Sequence, residues 1–211
     1  MFLMETKCKQ DKMEKWRVKL GYSGMLVVDS VEKFGGLFLM WDDSIVVDLM
    51  SYSSGHIDVR IQDKRNKSWR FTGFYGHPAQ SQRFNSWMLL RRLAGLYNLP
   101  WVVLGAFNEI MCVTKKVGGT DKKWQEITLF REAVEDCELE DMGFVGAKFT
   151  WSNKREGAAA IAERLDMSFC NKEWKDMFPF SVVRHLDFWK SDHRPFLLEC
   201  SDKPIYGSKE N

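Results

Sequence analysis

The apolar positions of this chain follow two rhythms. Short β-branched and apolar runs at 25–28, 37–41, 45–52, 57–61 and 69–75 are separated by Gly35-Gly36, Asp42-Asp43, Ser53-Ser54-Gly55 and the charged turn 63–68. Runs at that spacing predict strands joined by hairpins. At 81–96 the period changes. Phe84, Trp87, Met88, Leu90, Leu93 and Leu96 recur close to helical spacing. Trp101-Val102-Val103-Leu104 follows, a continuous apolar run between Pro100 and Gly105. Such a run predicts a strand buried on both faces. Strand, helix and strand in succession make the chain α/β.

Further along, residues 127–139 carry Ile127, Phe130, Val134 and Cys137 on one side and predict a second amphipathic helix. Residues 9–20 predict a charged surface helix stopped by Gly21, and 171–178 a short one. Runs at 149–151, 165–169, 182–186 and 196–200 predict the closing strands, and 111–123 reads as a basic loop. One domain over 1–200 and a polar tail over 201–211 are expected. No repeat or heptad is present.

Composition narrows the classes. A chain of 211 residues with 45% hydrophobic residues can bury a sizeable core. Its 31 basic and 29 acidic side chains leave a net charge of +2, so no global field demands a nucleic-acid partner. The five cysteines are scattered with no Cys-x-x-Cys pair, which argues for reduced thiols in an intracellular protein and against a zinc site. No run approaches the ~20 apolar residues of a membrane span. Residues 1–4 are too short for a signal-peptide core. A nuclear or cytoplasmic monomer is expected.

Polar groups cluster just past strand ends, where α/β sheets place their chemistry. Asn108 and Glu109 follow the run at 101–104, Glu5 follows Phe2-Leu3-Met4, Tyr75 closes the run at 69–75, and Asp192-His193 lie between the last two runs. Each has an ordinary reading. Glu5 could be a surface carboxylate, Tyr75 a sheet-end aromatic, Asn108 a turn cap and Asp192-His193 turn chemistry before Pro195. Asp166 could simply pair with Arg164.

The joint order of these stretches argues otherwise. Gly105-Ala106-Phe107-Asn108-Glu109-Ile110 resembles the Gly-Asp-Phe-Asn-Glu-Ile motif of the endonuclease/exonuclease/phosphatase superfamily. Phe2-Leu3-Met4-Glu5-Thr6-Lys7, Gly73-Phe74-Tyr75-Gly76, Phe149-Thr150-Trp151-Ser152-Asn153, Glu163-Arg164-Leu165-Asp166 and Ser191-Asp192-His193-Arg194-Pro195 agree in the family's order. The resemblance is narrower to the endonuclease domain of plant LINE-type (non-LTR) retrotransposon proteins.

The resemblance implies a four-layer α/β sandwich: two mixed β-sheets packed face to face and flanked by helices. It implies a Mg²⁺-dependent phosphodiesterase acting on DNA, with Mn²⁺ as a substitute metal. Glu5 and Asp192 would hold the metal. His193 would donate to the phosphate, Asp166 would orient its ring, and Asn108 and Tyr75 would contact the phosphate or the attacking water. Lys115, Lys116 and Asn153 would touch the nucleic acid.

Two departures bear on activity. Ala106 stands where the family has the Asp that orients or deprotonates the nucleophilic water. A general base contributes about 10²–10⁴-fold, so a loss of that order and weak metal binding are expected. The family also has a strand before the one carrying Glu5, which delivers an Asn; here it is expected to be missing. The alternatives are a non-catalytic remnant with weak nucleic-acid binding and a phosphatase of the same superfamily.

Overall fold

The computed structural model describes residues 1–30 and 35–204. Its central element is a six-stranded sheet, ordered Ile45–Ser53, His56–Asp63, Ser68–Tyr75, Trp101–Ala106, Asp166–Cys170, Glu140–Asp141. Neighbours are antiparallel except Ser68–Tyr75 and Trp101–Ala106, which run parallel. A parallel pair needs a crossover. Helix Arg83–Ala94 makes it, starting at Arg83 after a short 3-10 turn.

Period-2 alternation divides the strands between two cores. Trp101, Val103 and Phe107 face helices Arg83–Ala94 and Trp124–Asp136, packing with Trp87, Leu90, Phe130 and Val134. Val102 and Ala106 face the opposite layer. The run at 101–104 is therefore buried on both sides, which is why it carries no polar position. Gly105 is the exception that closeness requires. Its φ is +151°, and a Cβ there would lie 1.9 Å from the carbonyl oxygen of Phe74.

The helix-facing side also buries polar groups. Asp58 and Arg70 are fully enclosed and paired at 2.9 Å, and Arg70 donates to the Leu93 carbonyl. Thr72 donates to Asp58 at 2.6 Å and accepts from the Trp101 indole at 2.8 Å. Every partner in this cluster is satisfied, as buried charge demands.

The opposite layer is two three-stranded sheets. One is ordered Phe2–Leu3, Leu37–Trp41, Gly24–Val28, and the other Val145–Gly146, Val182–His185, Phe196–Glu199. In the first, Leu37 and Leu39 face the six-stranded sheet, while Phe38 and Met40 face helix Gln10–Lys19 through Met13. That gives four layers: helices, sheet, paired sheets, helix. Phe2 meets Phe71 edge to face, and Phe71, Trp69 and Leu198 all pack on the cluster of Val102, Cys170, Trp174 and Phe178. Phe2–Leu3 and Phe196–Glu199, each an edge strand of its own sheet, therefore approach the same part of the central sheet.

Some elements differ from those the pattern predicts. The basic loop 111–123 contains a 3-10 turn at Val113–Lys115 and a strand at Lys116–Val117. That strand pairs with Ala162–Glu163, which pairs with Trp151–Ser152. Two-residue strands leave no periodicity to read. The helix expected at 127–139 spans Trp124–Asp136, because Glu138 takes a left-handed φ of +53° and ends it.

Candidate active site

The architecture brings several strand ends to one place. Tyr75, Ala106 and Asp166 are lateral neighbours on three adjacent strands of the central sheet. Strand Phe2–Leu3 of the facing layer delivers Met4 and Glu5 above them, and the Ala106 amide points at the Met4 sulfur, 3.2 Å away. The loop before Phe196–Glu199 brings in Ser191, Asp192 and His193. The result is a cleft of about 440 Å³ lined by Met4, Glu5, Tyr75, Ala106, Ser191, Asp192 and His193, with Lys7, Lys154 and Lys190 at its rim.

Buried Asp166 holds the ring of His193, accepting from Nδ1 at 2.8 Å. This leaves Nε2 as the ring nitrogen available to the cleft. Burial disfavours the imidazolium. The hydrogen bond and charge of Asp166, with the charges of Asp192 and Glu5, outweigh burial and raise the His193 pKa above its usual value. Asp166 is free for this role because Arg164 pairs with Asp141, at 2.6 and 2.8 Å.

On the other wall, the Tyr75 hydroxyl donates to Glu5. Burial, then Glu5, push the phenol far above its ordinary pKa, so Tyr75 stays protonated. Asn108 is buried in a left-handed conformation, φ +58°, and its amide donates to the Gly76 carbonyl at 2.6 Å. It thereby ties the turn after Tyr75 to the turn after Ala106.

Thr150 and Trp151 form the support beneath. Thr150 is fully buried, and its hydroxyl accepts from the amides of Leu165 and Asp166. Its carbonyl accepts from Arg194. The Trp151 indole donates to Asp192 at 3.0 Å, and the Ser152 amide to the Asp192 carbonyl. These residues hold the Asp192-His193 loop on the sheet end. The sequence offered Phe-Thr-Trp-Ser-Asn as a motif with a role attached only to its Asn153.

Glu5, Tyr75, Ala106, Asp192 and His193 line the one cleft, with Asp166 and Asn108 directly behind. Lys115, Lys116 and Asn153 are not among its lining residues. Lys116 is paired with Glu163 at 2.5 Å, and Lys115 lies over the Phe144 ring. The Asn153 side chain is spent inside its own loop, on Ala159, Arg155 and Ile161. The rim cations are instead Lys7, Lys154 and Lys190, which chain order alone did not single out. Glu109 points away and is buried against Arg83 and Lys122.

Among the described residues no group of three or more His, Cys, Asp or Glu could hold a metal. Glu5 and Asp192 supply two carboxylates. Hard oxygen donors in that number suit Mg²⁺, which binds through one or two carboxylates plus water and phosphate, and not a four-coordinate zinc site. Burial pushes the Cys137 thiol up to about 12 and Cys170 to about 11, and neither lines the cleft.

No protein-family model matches the chain, and no characterised protein matches it by sequence. Solved structures match its fold. The Xenopus laevis APE2 catalytic domain aligns with a TM-score of 0.70 at 16% identity, over 99% of this chain and 85% of that one. A 3'-5' exonuclease, NExo from Neisseria meningitidis, aligns at 0.65 and 16% identity, over 95% and 88%. The endonuclease domain of TRAS1, a telomere-specific non-LTR retrotransposon, aligns at 0.60 and 14% identity, over 94% and 97%.

Proposed function

Given that the chain has the α/β sandwich of the endonuclease/exonuclease/phosphatase superfamily, we propose that it is a phosphodiesterase-type nuclease domain of retrotransposon origin, acting on DNA and weakened at its own catalytic centre. The convergence of Glu5, Asp192 and the Asp166–His193 pair on one cleft carries this reading. The match in length to the TRAS1 domain, and the Gly-Phe-Tyr-Gly and Phe-Thr-Trp-Ser-Asn stretches, support the retrotransposon branch.

Phosphodiester hydrolysis develops charge on the non-bridging oxygens. His193, protonated more readily than a free histidine, donates from Nε2 to one of them, and Asp166 keeps Nδ1 protonated so that Nε2 points at the cleft. Tyr75, held by Glu5, lines the same floor. Glu5 and Asp192 would hold a divalent cation, which supplies charge neutralisation and a more acidic bound water. Asn108 positions the Tyr75 and Ala106 turns.

The missing piece is a base. Ala106 sits between Tyr75 and Asp166 on the cleft floor, and a methyl group accepts no proton. The reaction is slower by about the 10²–10⁴-fold that a general base supplies. The same observation favours a second reading, a nucleic-acid-binding remnant that no longer cleaves.

The test is relaxation of supercoiled plasmid in Mg²⁺ by the wild type and by Ala106→Asp. The carboxylate is expected to raise nicking by about 10²–10⁴-fold, and the gain is expected to disappear in EDTA and in the Ala106→Asp/His193→Ala double variant. A properly folded Ala106→Asp protein that nicks no faster than wild type would overturn the proposed mechanism. Binding without nicking in both would establish the remnant.

A further inference from the structure

The mechanism leaves the rim of the cleft unused. Lys7, Lys154 and Lys190 line it, and none forms a salt bridge among the described residues. They come from separate stretches: one follows Glu5, one follows Asn153, and one precedes Ser191. All have left-handed backbones, with φ of 49°, 54° and 52°, an uncommon conformation for lysine. Three cations with no salt bridge among the described residues, around an opening that also holds Glu5 and Asp192, match a polyanion that passes through, more than a single phosphate bound at the centre.

Beside Lys190 stands Trp189. It is 75% exposed, more than any other large apolar side chain described here. The indole is outside the cleft lining, but the Nζ of Lys190, which is part of it, lies 5.4 Å from the ring, so the indole stands just beyond the rim at that lysine. Each aromatic of this loop has a cation over one face, Arg194 over Phe188 at 4.1 Å and Lys190 over Trp189, but Phe188 is only 36% exposed, so Trp189 is the more open of the two. An exposed indole next to backbone-neutralising lysines has the two parts of a single-strand platform: cations for phosphates and a flat face for a base.

We infer that Trp189, with Lys7, Lys154 and Lys190, forms a subsite for an unpaired nucleotide next to the scissile phosphate, so that this domain takes single-stranded or locally opened nucleic acid. The inference rests on the nucleic-acid reading above and adds the substrate class to it. A base inside a duplex is covered on both faces by its neighbours, and the indole reaches one only where that stack is open.

The test is fluorescence anisotropy with three labelled probes in Mg²⁺: a thymidine 12-mer, the same backbone with abasic residues, and the matching duplex, with probe integrity checked on a gel. Wild type is expected to bind the 12-mer more tightly than the duplex. Trp189→Ala is expected to weaken the 12-mer by about 5- to 100-fold, the worth of one stacked base, and to leave the abasic probe unchanged. Trp189→Phe is expected to retain most of the affinity. Lys7→Gln/Lys154→Gln/Lys190→Gln is expected to weaken both single-stranded probes and flatten the logarithmic salt slope by about 2. Because Trp189 is exposed, the melting temperature should not move. Equal binding of the 12-mer by Trp189→Ala and wild type, equal weakening of both single-stranded probes, or a wild-type preference for duplex would each overturn the inference. A wild type that binds no probe would instead defeat the nucleic-acid reading itself.

Discussion

Asp166 Oδ2 lies 2.8 Å from His193 Nδ1, across 27 positions of chain. The two arrive by different routes. Asp166 begins the fifth strand of the six-stranded sheet, and His193 rides a loop pinned to that sheet by Thr150 and Trp151. The contact orients the ring of the only histidine that lines the cleft among the described residues and favours its protonated form.

The first prediction concerns that charge. Burial alone lowers the His193 pKa, and the carboxylates raise it past its ordinary value. With Asp166→Asn, an NMR titration should find the pKa lower than in the wild type. The stability linked to this raised pKa is fully present below the unfolded value of about 6.5 and is lost as pH rises through the folded value. The melting-temperature gap between wild type and Asp166→Asn should therefore be wider at pH 5.5 than at pH 8.5. A gap independent of pH would remove the ion pair from the account.

Trp151 tests the support. Trp151→Phe keeps most of the ring packing and deletes the indole N–H that holds Asp192 at 3.0 Å. Mg²⁺ binding, followed by calorimetry, should weaken while stability changes by only about 0.5–1.5 kcal/mol. If affinity is unchanged, Asp192 needs no orienting partner.

For the metal itself, weak Mg²⁺ binding that falls further in both Glu5→Gln and Asp192→Asn is the expected result. Tight binding that survives Glu5→Gln would place the ligands elsewhere in the molecule.

On the helix-facing side of the central sheet, Asp58→Ala leaves the Arg70 guanidinium charged, fully buried and short of its main partner. Loss of about 3–5 kcal/mol in urea unfolding is expected. A loss under about 1 kcal/mol would mean that Arg70 relaxes to solvent, and the enclosed network is then not rigid.

Much of the fold was open to a reader of the chain alone, because burial imposes periodicity. The run at 101–104 has no polar position since both of its faces are covered, and the helix at Arg83–Ala94 keeps its apolar stripe since one face is. The candidate residues were visible for a different reason: Glu5 and Tyr75 sit where apolar runs stop, Asp192-His193 lie between two runs, and Asp166 stood out only through the motif resemblance. What the chain could not express is distance between residues far apart in sequence. Whether Asp166 meets Arg164 or His193 depends on Asp141, delivered by a two-residue strand with no pattern of its own. Lys115 and Lys116 stand in a basic stretch and are occupied by Phe144 and Glu163, whereas Lys7, Lys154 and Lys190 stand apart in sequence and ring the cleft. Local physics, the period of burial and the chemistry of turns, is written residue by residue. The pairing of a charge with its partner is settled only when the sheets pack, because many partners are chemically equivalent and only one is near.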